Sequence, residues 1–139
     1  MKKILVTGSN GLVGQKLTDL ILSQSNFYLI ATSKGANRHP IQEGYTYVDL
    51  DICDAESIRQ ILKKYHPTAV IHTAAMTNVD TCETDQLACR TLNVDAVKNL
   101  AEVCQEIHCQ LVHLSTDFIF DGESGPYTEL DKPNPLSFY

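Results

Sequence analysis

Short apolar runs alternate along the chain with stretches in which apolar residues recur at helical spacing. Short runs bounded by turn-forming residues are typical of buried strands, and recurrence at three- and four-residue intervals is typical of amphipathic helices. The pattern predicts strands over 4–7, 28–32, 45–49, 69–73 and 111–115, the last of them fully buried, and helices over 12–21, 58–65 and 97–107. Because strands that alternate with helices form βα units, the predicted fold class is α/β, with a parallel sheet.

Two local signals refine this pattern. Asp54 is placed to cap the helix that ends before Pro67, because an aspartate side chain accepts hydrogen bonds from the free N–H groups of a first helical turn. After Thr116 the periodic pattern ends, and glycines and prolines recur through 117–139. This segment is predicted to be a long surface loop, and loops above about 15 residues are usually functional.

Composition and charge describe one ordinary globular domain. The chain has 139 residues, 43% of them hydrophobic, and a net charge of −6. A negative chain has no general attraction to nucleic acid or to an anionic membrane surface, so neither is an expected partner. No apolar run approaches the about 20 residues that span a bilayer, and the N-terminal apolar stretch stops at Gly8, which indicates a strand rather than an export signal. The expected compartment is the cytoplasm.

The cysteines and histidines form no recognisable reactive set. The five cysteines include no C-x-x-C pair and no histidine at zinc-ligand spacing, so no metal site is predicted. His72 and His113 lie inside predicted strands and are interpreted as core histidines. No histidine has the partners of a catalytic triad, and nucleophilic catalysis is not expected.

Gly8, Gly11 and Gly14 follow the first strand directly and open the first helix. Glycines let a backbone turn sharply and approach a pyrophosphate closely, and the helix N-terminus offers free N–H groups to its charge. The first gap is one residue longer than in the usual dinucleotide fingerprint. The motif predicts a phosphate-binding turn, and a glycine-rich packing turn is the alternative.

The end of the second strand bears on which dinucleotide is bound. NAD-binding folds place a carboxylate there, on the ribose hydroxyls. Here Ser33, Lys34 and Arg38 occupy the position, and no carboxylate lies between Asp19 and Glu43. A hydroxyl and two cations suit a 2′-phosphate, so NADP(H) is favoured and NAD(H) is the alternative.

Several motifs resemble those of extended short-chain dehydrogenases/reductases, and the dTDP-4-dehydrorhamnose reductases among them most closely. Besides the glycine turn they are Ala74-Ala75-Met76-Thr77-Asn78-Val79-Asp80 with Glu83, Ser115-Thr116-Asp117-Phe118-Ile119-Phe120-Asp121-Gly122, Pro126-Tyr127-x-Glu129, and Pro135-Leu136-x-x-Tyr139. They occur in the family's order and extend to the last residue. The resemblance implies a Rossmann-type doubly wound parallel sheet over 1–139, incomplete at its C-terminal side, with the substrate domain absent.

The resemblance also implies roles for individual residues. It assigns Gly11, Leu12 and Val13 to the pyrophosphate, Asp51 and Ile52 to the adenine, and Ala74, Ala75, Met76 and Thr77 to the ribose and phosphates. It makes Thr116 and Tyr139 catalytic, has Asn93 support the site, and turns Asn78, Val79, Asp80 and Asp117 toward a nucleotide-sugar substrate. A homodimer is the assembly it favours.

Ketone reduction requires a proton for the oxygen that receives the developing charge. A phenol, with an ordinary pKa near 10, is too weak a proton donor at neutral pH unless a cation lowers that pKa. In the family a lysine four residues after the tyrosine supplies the cation, and the sequence ends at Tyr139. The 139 residues alone are therefore expected to bind cofactor weakly and to be inactive.

The resemblance leaves three functions open. The first is NADPH-dependent reduction of a 4-keto sugar nucleotide, which gives dTDP-rhamnose or a relative. The second is a non-catalytic nucleotide-binding regulatory subunit, as in methionine adenosyltransferase, and the third is an NAD-dependent epimerase. Phe118 replaces the usual tyrosine, which removes one hydroxyl, and it cannot supply the acid–base glutamate of the related dehydratases.

Overall fold

Five parallel strands form one sheet in the computed structural model, which describes residues 1–139. The strands are β1 (Lys2–Thr7), β2 (Phe27–Ser33), β3 (Thr46–Asp49), β4 (Ala69–His72) and β5 (Gln110–His113), and their order is β3-β2-β1-β4-β5. All four pairings are parallel. This order matches five strands of the 3-2-1-4-5-6 arrangement of Rossmann-type sheets, which confirms the predicted fold class.

The helices connect and cover these strands. They are α1 (Leu12–Leu22), α2 (Ala55–Tyr65), α3 (Val79–Thr84), α4 (Gln86–Arg90) and α5 (Ala96–Glu106), with a π-helical turn at Thr91–Asp95 and a 3₁₀ turn at Asp117–Ile119. Three helices were predicted. The short helices α3 and α4 are too brief to show an apolar period, and capping side chains, Asn78 and Asp85, begin them instead.

Apolar side chains fill both faces of the sheet. Helices α2 and α5 pack on one face, where Leu5, Ile30 and Val70 of the strands lie against Ile58 and Leu100 of the helices. Helix α1 covers the other face, where the smaller core includes Ile4, Val6, Ile21, Leu29 and Ala31. The predicted apolar stripes of α2 and α5 face the larger core. In α1 only Leu17 and Ile21 face the smaller core, and the predicted stripe residues Leu12, Val13 and Leu20 are exposed.

The N-terminus of α2 has the predicted cap. The Asp54 carboxylate accepts hydrogen bonds from the backbone N–H groups of Glu56 and Ser57, both at 3.1 Å. Its second oxygen accepts from the Ser57 hydroxyl at 2.7 Å. These three bonds lower the pKa of Asp54, with the Ser57 hydroxyl contributing most.

Strand β5 differs from its prediction in length and in burial. It ends at His113 rather than at residue 115, and three of its four residues are exposed. The prediction of a fully buried strand was wrong because β5 is the edge strand and pairs only with β4. His113 is consequently exposed and is not a core histidine.

The segment after the 3₁₀ turn is a surface loop, as predicted, and Asp121 organises it. The carboxylate accepts hydrogen bonds from the Tyr127 hydroxyl at 2.5 Å, the Asn134 amide at 2.8 Å and the Glu123 backbone at 3.0 Å. These bonds, that from Tyr127 foremost, lower the pKa of Asp121 to about 2. The Tyr127 ring stacks on Phe120 with centroids 4.4 Å apart.

We expect the Asp54 cap to contribute measurably to stability. Asp54→Ala removes the side-chain oxygen that accepts from both backbone N–H groups and should lower the free energy of unfolding by about 1 kcal/mol, whereas Asp54→Asn keeps an acceptor and should cost much less. Urea denaturation followed by circular dichroism would measure both. Equal losses in the two variants would show that the carboxylate charge, not the cap, is what stabilises α2.

Candidate functional site

The glycine turn lies where β1 meets α1, at the centre of the sheet. Gly8 has φ +67°, and a Cβ built on it would lie 2.7 Å from the backbone nitrogen of Ala74, in the loop after β4. Gly14 is buried, and a Cβ there would collide with the Gly8 carbonyl. Gly8 therefore keeps the two loops close, and Gly14 packs α1 against the turn rather than facing the cleft.

The N-terminus of α1 has free hydrogen-bond donors. Gly11 is the N-cap, without a side-chain cap, and the first turn carries no acidic residue. The backbone N–H groups of Leu12, Val13 and Gly14 have no acceptor within the protein. Unpaired donors and the positive end of the helix dipole suit an anion such as a pyrophosphate. The turn and the helix end together fit the phosphates of a dinucleotide.

A cavity of about 310 Å³ opens beside the turn, at the carboxyl ends of β1, β2, β3 and β4. It is lined by Gly8, Gly11, Ser33, Lys34, Leu50, Asp51, Ile52, Cys53, Thr73, Ala74, Ala75 and Leu92. Eight of these are among the predicted cofactor residues, and the sequence reasoning missed Leu50, Cys53, Thr73 and Leu92. The predicted residues Leu12, Val13, Gly14, Arg38, Met76 and Thr77 do not line it.

The Asp51 carboxylate, which the resemblance assigned to the adenine, pairs in this cavity with Lys34, and the sequence reasoning did not foresee this contact. The Lys34 ammonium lies 2.6 Å from an Asp51 carboxylate oxygen, and the Gly35 N–H donates to Asp49 at 2.7 Å. The Lys34 hydrogen bond is the main cause of the lowered pKa of Asp51, and Asp51 raises that of Lys34. The interpretation based on the end of β2 considered only neighbours in sequence, whereas β3 is its neighbour in space.

The loop from Lys34 to Tyr45 is attached to the glycine turn and to α1. The Asn10 side chain accepts from the Arg38 N–H and donates to the Ala36 carbonyl, both at 2.9 Å. His39 is buried, with Nε2 3.1 Å from an Asp19 carboxylate oxygen. The backbone of Arg38 is thus held at the turn, while its side chain is exposed.

A second cavity, of about 190 Å³, adjoins the first and shares Ala74 and Ala75 with it. It is lined by Ala74, Ala75, Asn93, Val94, His113, Leu114, Ser115, Thr116, Ile119 and Tyr139. The structure therefore brings the two predicted catalytic residues, Thr116 and Tyr139, into one cavity beside the nucleotide cleft.

The Thr116 hydroxyl is fixed by the start of the 3₁₀ turn. Its oxygen accepts a hydrogen bond from the Phe118 N–H at 3.1 Å and lies 3.5 Å from an Asp117 carboxylate oxygen. The hydroxyl donates to Asp117 at this long distance, and a closer acceptor in the cavity would compete for its proton. Thr116 lies three residues beyond the end of β5, rather than directly after it as the predicted strand 111–115 implied.

Asn93 fixes the loop after β4. Its side chain accepts from the Met76 N–H at 2.8 Å and donates to the Met76 carbonyl at 2.9 Å, so it pairs with both backbone groups of one residue. Asn93 lies in the π-helical turn that joins α4 to α5, and such turns are frequent at functional sites. Asn93 therefore holds the Met76 backbone in place.

A third cavity, of about 650 Å³, lies beyond Tyr139. It is lined by Val79, Asp117, Phe118, Phe120, Asp121, Gly122, Tyr127, Leu136 and Ser137. The Phe118 ring meets the Tyr139 ring edge to face, with centroids 5.9 Å apart, so these two residues join the second cavity to the third. Of the predicted substrate residues, Val79 and Asp117 line this cavity.

Asn78 and Asp80 line none of these three cavities. The Asn78 side chain accepts hydrogen bonds from the N–H and hydroxyl groups of Thr81 and so caps α3. Asp80 lies in the first turn of α3 and is exposed. A capping role explains the residue type at Asn78 without a substrate contact.

His72 is buried at the end of β4, as predicted, but only one of its ring nitrogens is paired. Nδ1 lies 2.6 Å from the Thr7 hydroxyl, and Nε2 has no partner. The ring stacks on that of His113 with centroids 5.2 Å apart. Burial, and to a smaller extent His113, lowers the pKa of His72 to about 4.

Metal-ligand groups, spanning helices and disulfides are absent from this structure. No three His, Cys, Asp or Glu side chains are grouped so that they could bind a metal ion, and none of the helices is both long and apolar enough to traverse a membrane. All five cysteines are free thiols, and Cys53, in the first cavity, is the exposed one.

The sheet order, the glycine turn and the cleft at the carboxyl strand ends define a Rossmann-type nucleotide-binding domain. Within this class, the chain belongs to the RmlD substrate binding domain family, whose match covers residues 1–139.

The chain is similar in sequence or structure to two reductases and to a subunit of a third enzyme. The beta subunit of methionine adenosyltransferase 2 from Rattus norvegicus is 30% identical over 99% of the chain and 39% of its own length. A dTDP-4-keto-6-deoxy-D-glucose reductase from Streptomyces niveus is 34% identical over 97% of the chain and 42% of its own length. The structure of dTDP-4-dehydrorhamnose reductase from Bacillus anthracis in complex with NADP superposes with a TM-score of 0.84, at 25% identity, over 100% of the chain and 45% of that protein. The chain thus spans about two fifths of these relatives.

The buried His72 should make stability depend on pH. The unfolded chain takes up a proton on this histidine near its ordinary pKa of 6.5, whereas the folded protein does so only near 4. The free energy of unfolding should therefore fall as the pH drops from 6.5 to 4, by about 3 kcal/mol over the whole interval.

Chemical denaturation at several pH values would measure this effect. His72→Gln should remove it, and His113→Gln, at the exposed ring, should retain most of it because burial is the larger cause. If His72→Gln lost stability between pH 6.5 and 4 as steeply as the unmodified protein, the assignment to His72 would be wrong.

Proposed function

We propose that residues 1–139 form the NADP(H)-binding domain of a reductase of the short-chain dehydrogenase/reductase type, which reduces the 4-keto group of a nucleotide-linked sugar. The observation that carries the proposal is the cleft. A nucleotide cavity and a cavity with Thr116 and Tyr139 share the wall formed by Ala74 and Ala75. A dinucleotide laid along this wall from the glycine turn would bring its reactive end to the two hydroxyls.

The cofactor contacts follow from the geometry. The N–H groups at the start of α1 would bind the pyrophosphate, and the cavity between Ser33 and Ile52 would take the adenosine. Lys34 supports the choice of NADP(H), because a cation beside the ribose favours a 2′-phosphate. The relatives described above include a reductase with NADP bound. NAD(H) is the alternative.

Bound NADPH would supply the hydride. Thr116 would donate its hydroxyl proton in a hydrogen bond to the substrate carbonyl oxygen, where negative charge develops. The Tyr139 phenol, in the same cavity, would protonate that oxygen. Val79 and Asp117, in the adjoining cavity, would contact the sugar.

A second candidate function is a nucleotide-binding regulatory subunit without turnover. The identity of 30% to a methionine adenosyltransferase beta subunit supports it. Phe118 supports it too, because it lines the third cavity where the family motif has a tyrosine, and so removes one hydroxyl from that cavity. NADPH consumption that depends on a 4-keto-6-deoxyhexose nucleotide would support the reductase. NADPH binding without consumption, in the whole protein, would support the regulatory role. We propose a cytoplasmic location and a homodimer for either function.

Cys53 offers a direct test of cofactor binding. It is the exposed cysteine of the five and lines the nucleotide cavity. Burial and Asp51 raise the pKa of its thiol, so alkylation is best followed above pH 8. Saturating NADPH should slow the reaction of Cys53 with N-ethylmaleimide several-fold, measured by peptide mass spectrometry. Cys53→Ser is the control that should abolish fast labelling, and an NADPH-independent labelling rate would refute binding at this cavity.

Thr116 should matter for turnover through its hydroxyl. Thr116→Val keeps the shape of the side chain and removes the donor, so kcat of the whole protein should fall about 100-fold. Thr116→Ser keeps the donor and should retain most of the rate. If valine and serine gave similar rates with NADPH and the keto sugar nucleotide, the hydroxyl would have no catalytic role.

A further inference from the structure

Lys34 and Asp51 form an ion pair across two loops of the nucleotide cavity. Lys34 follows the last residue of β2, Asp51 lies two residues after β3, and the two strands are neighbours in which Ser33 pairs with Asp49. Both side chains line the cavity, and the ammonium lies 2.6 Å from the carboxylate. The cation expected to favour a 2′-phosphate is therefore bound to a carboxylate of the same site.

The two partners differ in how firmly they are held. The other oxygen of Asp51 accepts a hydrogen bond from the Cys53 N–H at 2.9 Å, which fixes the carboxylate to the loop after β3. The Lys34 side chain is 78% exposed and makes no hydrogen bond except that to Asp51. Lysine also has a long, flexible stem. The carboxylate is thus the fixed partner, and the ammonium is the partner that can move.

One cation and one carboxylate line this end of the cavity. They are Lys34 and Asp51, which pair with each other, whereas Arg38 and Asp49 lie outside the lining. A 2′-phosphate carries about −1.5 to −2 charges at neutral pH, as other phosphate monoesters do. On binding, it would have to compete with Asp51 for the Lys34 ammonium.

We propose that Asp51 moderates the preference for NADP(H) over NAD(H) by holding Lys34, so that both dinucleotides are accepted. This inference rests on the proposed function and adds a residue that acts through Lys34 on cofactor choice. Asp51 is a positioning residue in this scheme. Its effect is specific to the 2′-phosphate, because NAD(H) has a neutral hydroxyl at that position and does not compete with Asp51 for the Lys34 ammonium.

The test is the ratio of the two dissociation constants, for NAD⁺ and NADP⁺, measured by calorimetry. Asp51→Asn keeps an oxygen to accept from the Cys53 N–H and removes the charge that holds Lys34. We expect this variant to raise the preference for NADP⁺ about two- to five-fold, the range for an exposed ion pair. Any contact of Asp51 with the adenine would change both dissociation constants alike and leave the ratio unaltered.

Two controls separate this mechanism from a general field effect. Asp54→Asn makes the same change in net charge nearby, outside the cavity, and should leave the ratio unchanged. In a Lys34→Gln background, Asp51→Asn should no longer alter the ratio. The proposal is overturned if Asp51→Asn leaves the ratio unchanged, if Asp54→Asn changes it equally, or if the effect persists without Lys34.

The experiment also distinguishes this inference from the function on which it rests. If the unmodified protein bound neither dinucleotide, the proposed function would fail and the role of Asp51 with it. If both dinucleotides bound and only the ratio failed to respond, the cofactor site would stand and the assignment of Asp51 alone would fall. Circular dichroism of each variant would confirm that the fold is retained.

Discussion

The close approach of the loops after β1 and β4 is the constraint on which the site depends. Strand β1 pairs with β2 on one side and with β4 on the other. The connection from β1 to β2 and the connection from β3 to β4 therefore run toward opposite edges of the sheet, and a crevice opens between them at the carboxyl ends of the strands. At that point the backbones of Gly8 and Ala74 come so close that a Cβ on Gly8 would lie 2.7 Å from a backbone nitrogen. A side chain there would displace one of the loops that line the cleft.

Polar side chains that bind backbone groups fix the remaining loops. Asn10 holds the loop after β2, Asn93 holds the loop after β4, and Thr116 holds the turn after β5. Backbone groups in irregular segments need such partners because no strand or helix pairs them. Each of these side chains therefore shapes the cleft, whether or not it touches a ligand.

Electrostatics in this protein are local. The chain has a net charge of −6, so attraction for an anionic dinucleotide has to come from a few groups close to it. The free N–H groups of α1 provide one such region, and their effect falls off beyond the first turn. Lys34 provides another, and its ammonium forms an ion pair with the Asp51 carboxylate. Under our proposal, cofactor choice at this site is a competition between Asp51 and a 2′-phosphate for the Lys34 ammonium.

The sequence by itself determined the parts that depend on near neighbours along the chain. The glycine turn, the Asp54 cap and the alternation of strands and helices are of this kind, because apolar period and turn chemistry act within a few residues. The resemblance to a known family added Thr116 and Tyr139, whose shared cavity no spacing could have predicted.

Only the tertiary structure decided what depends on the order of strands in the sheet. It put β5 at the edge, which exposes His113, and it brought Asp49 and Asp51 beside Lys34. Residues far apart in sequence meet only after the strands have paired, and the partner of each strand is set by the packing of helices on both faces. The apolar pattern of a strand indicates that the strand is buried or paired, but it does not indicate which strand lies next to it.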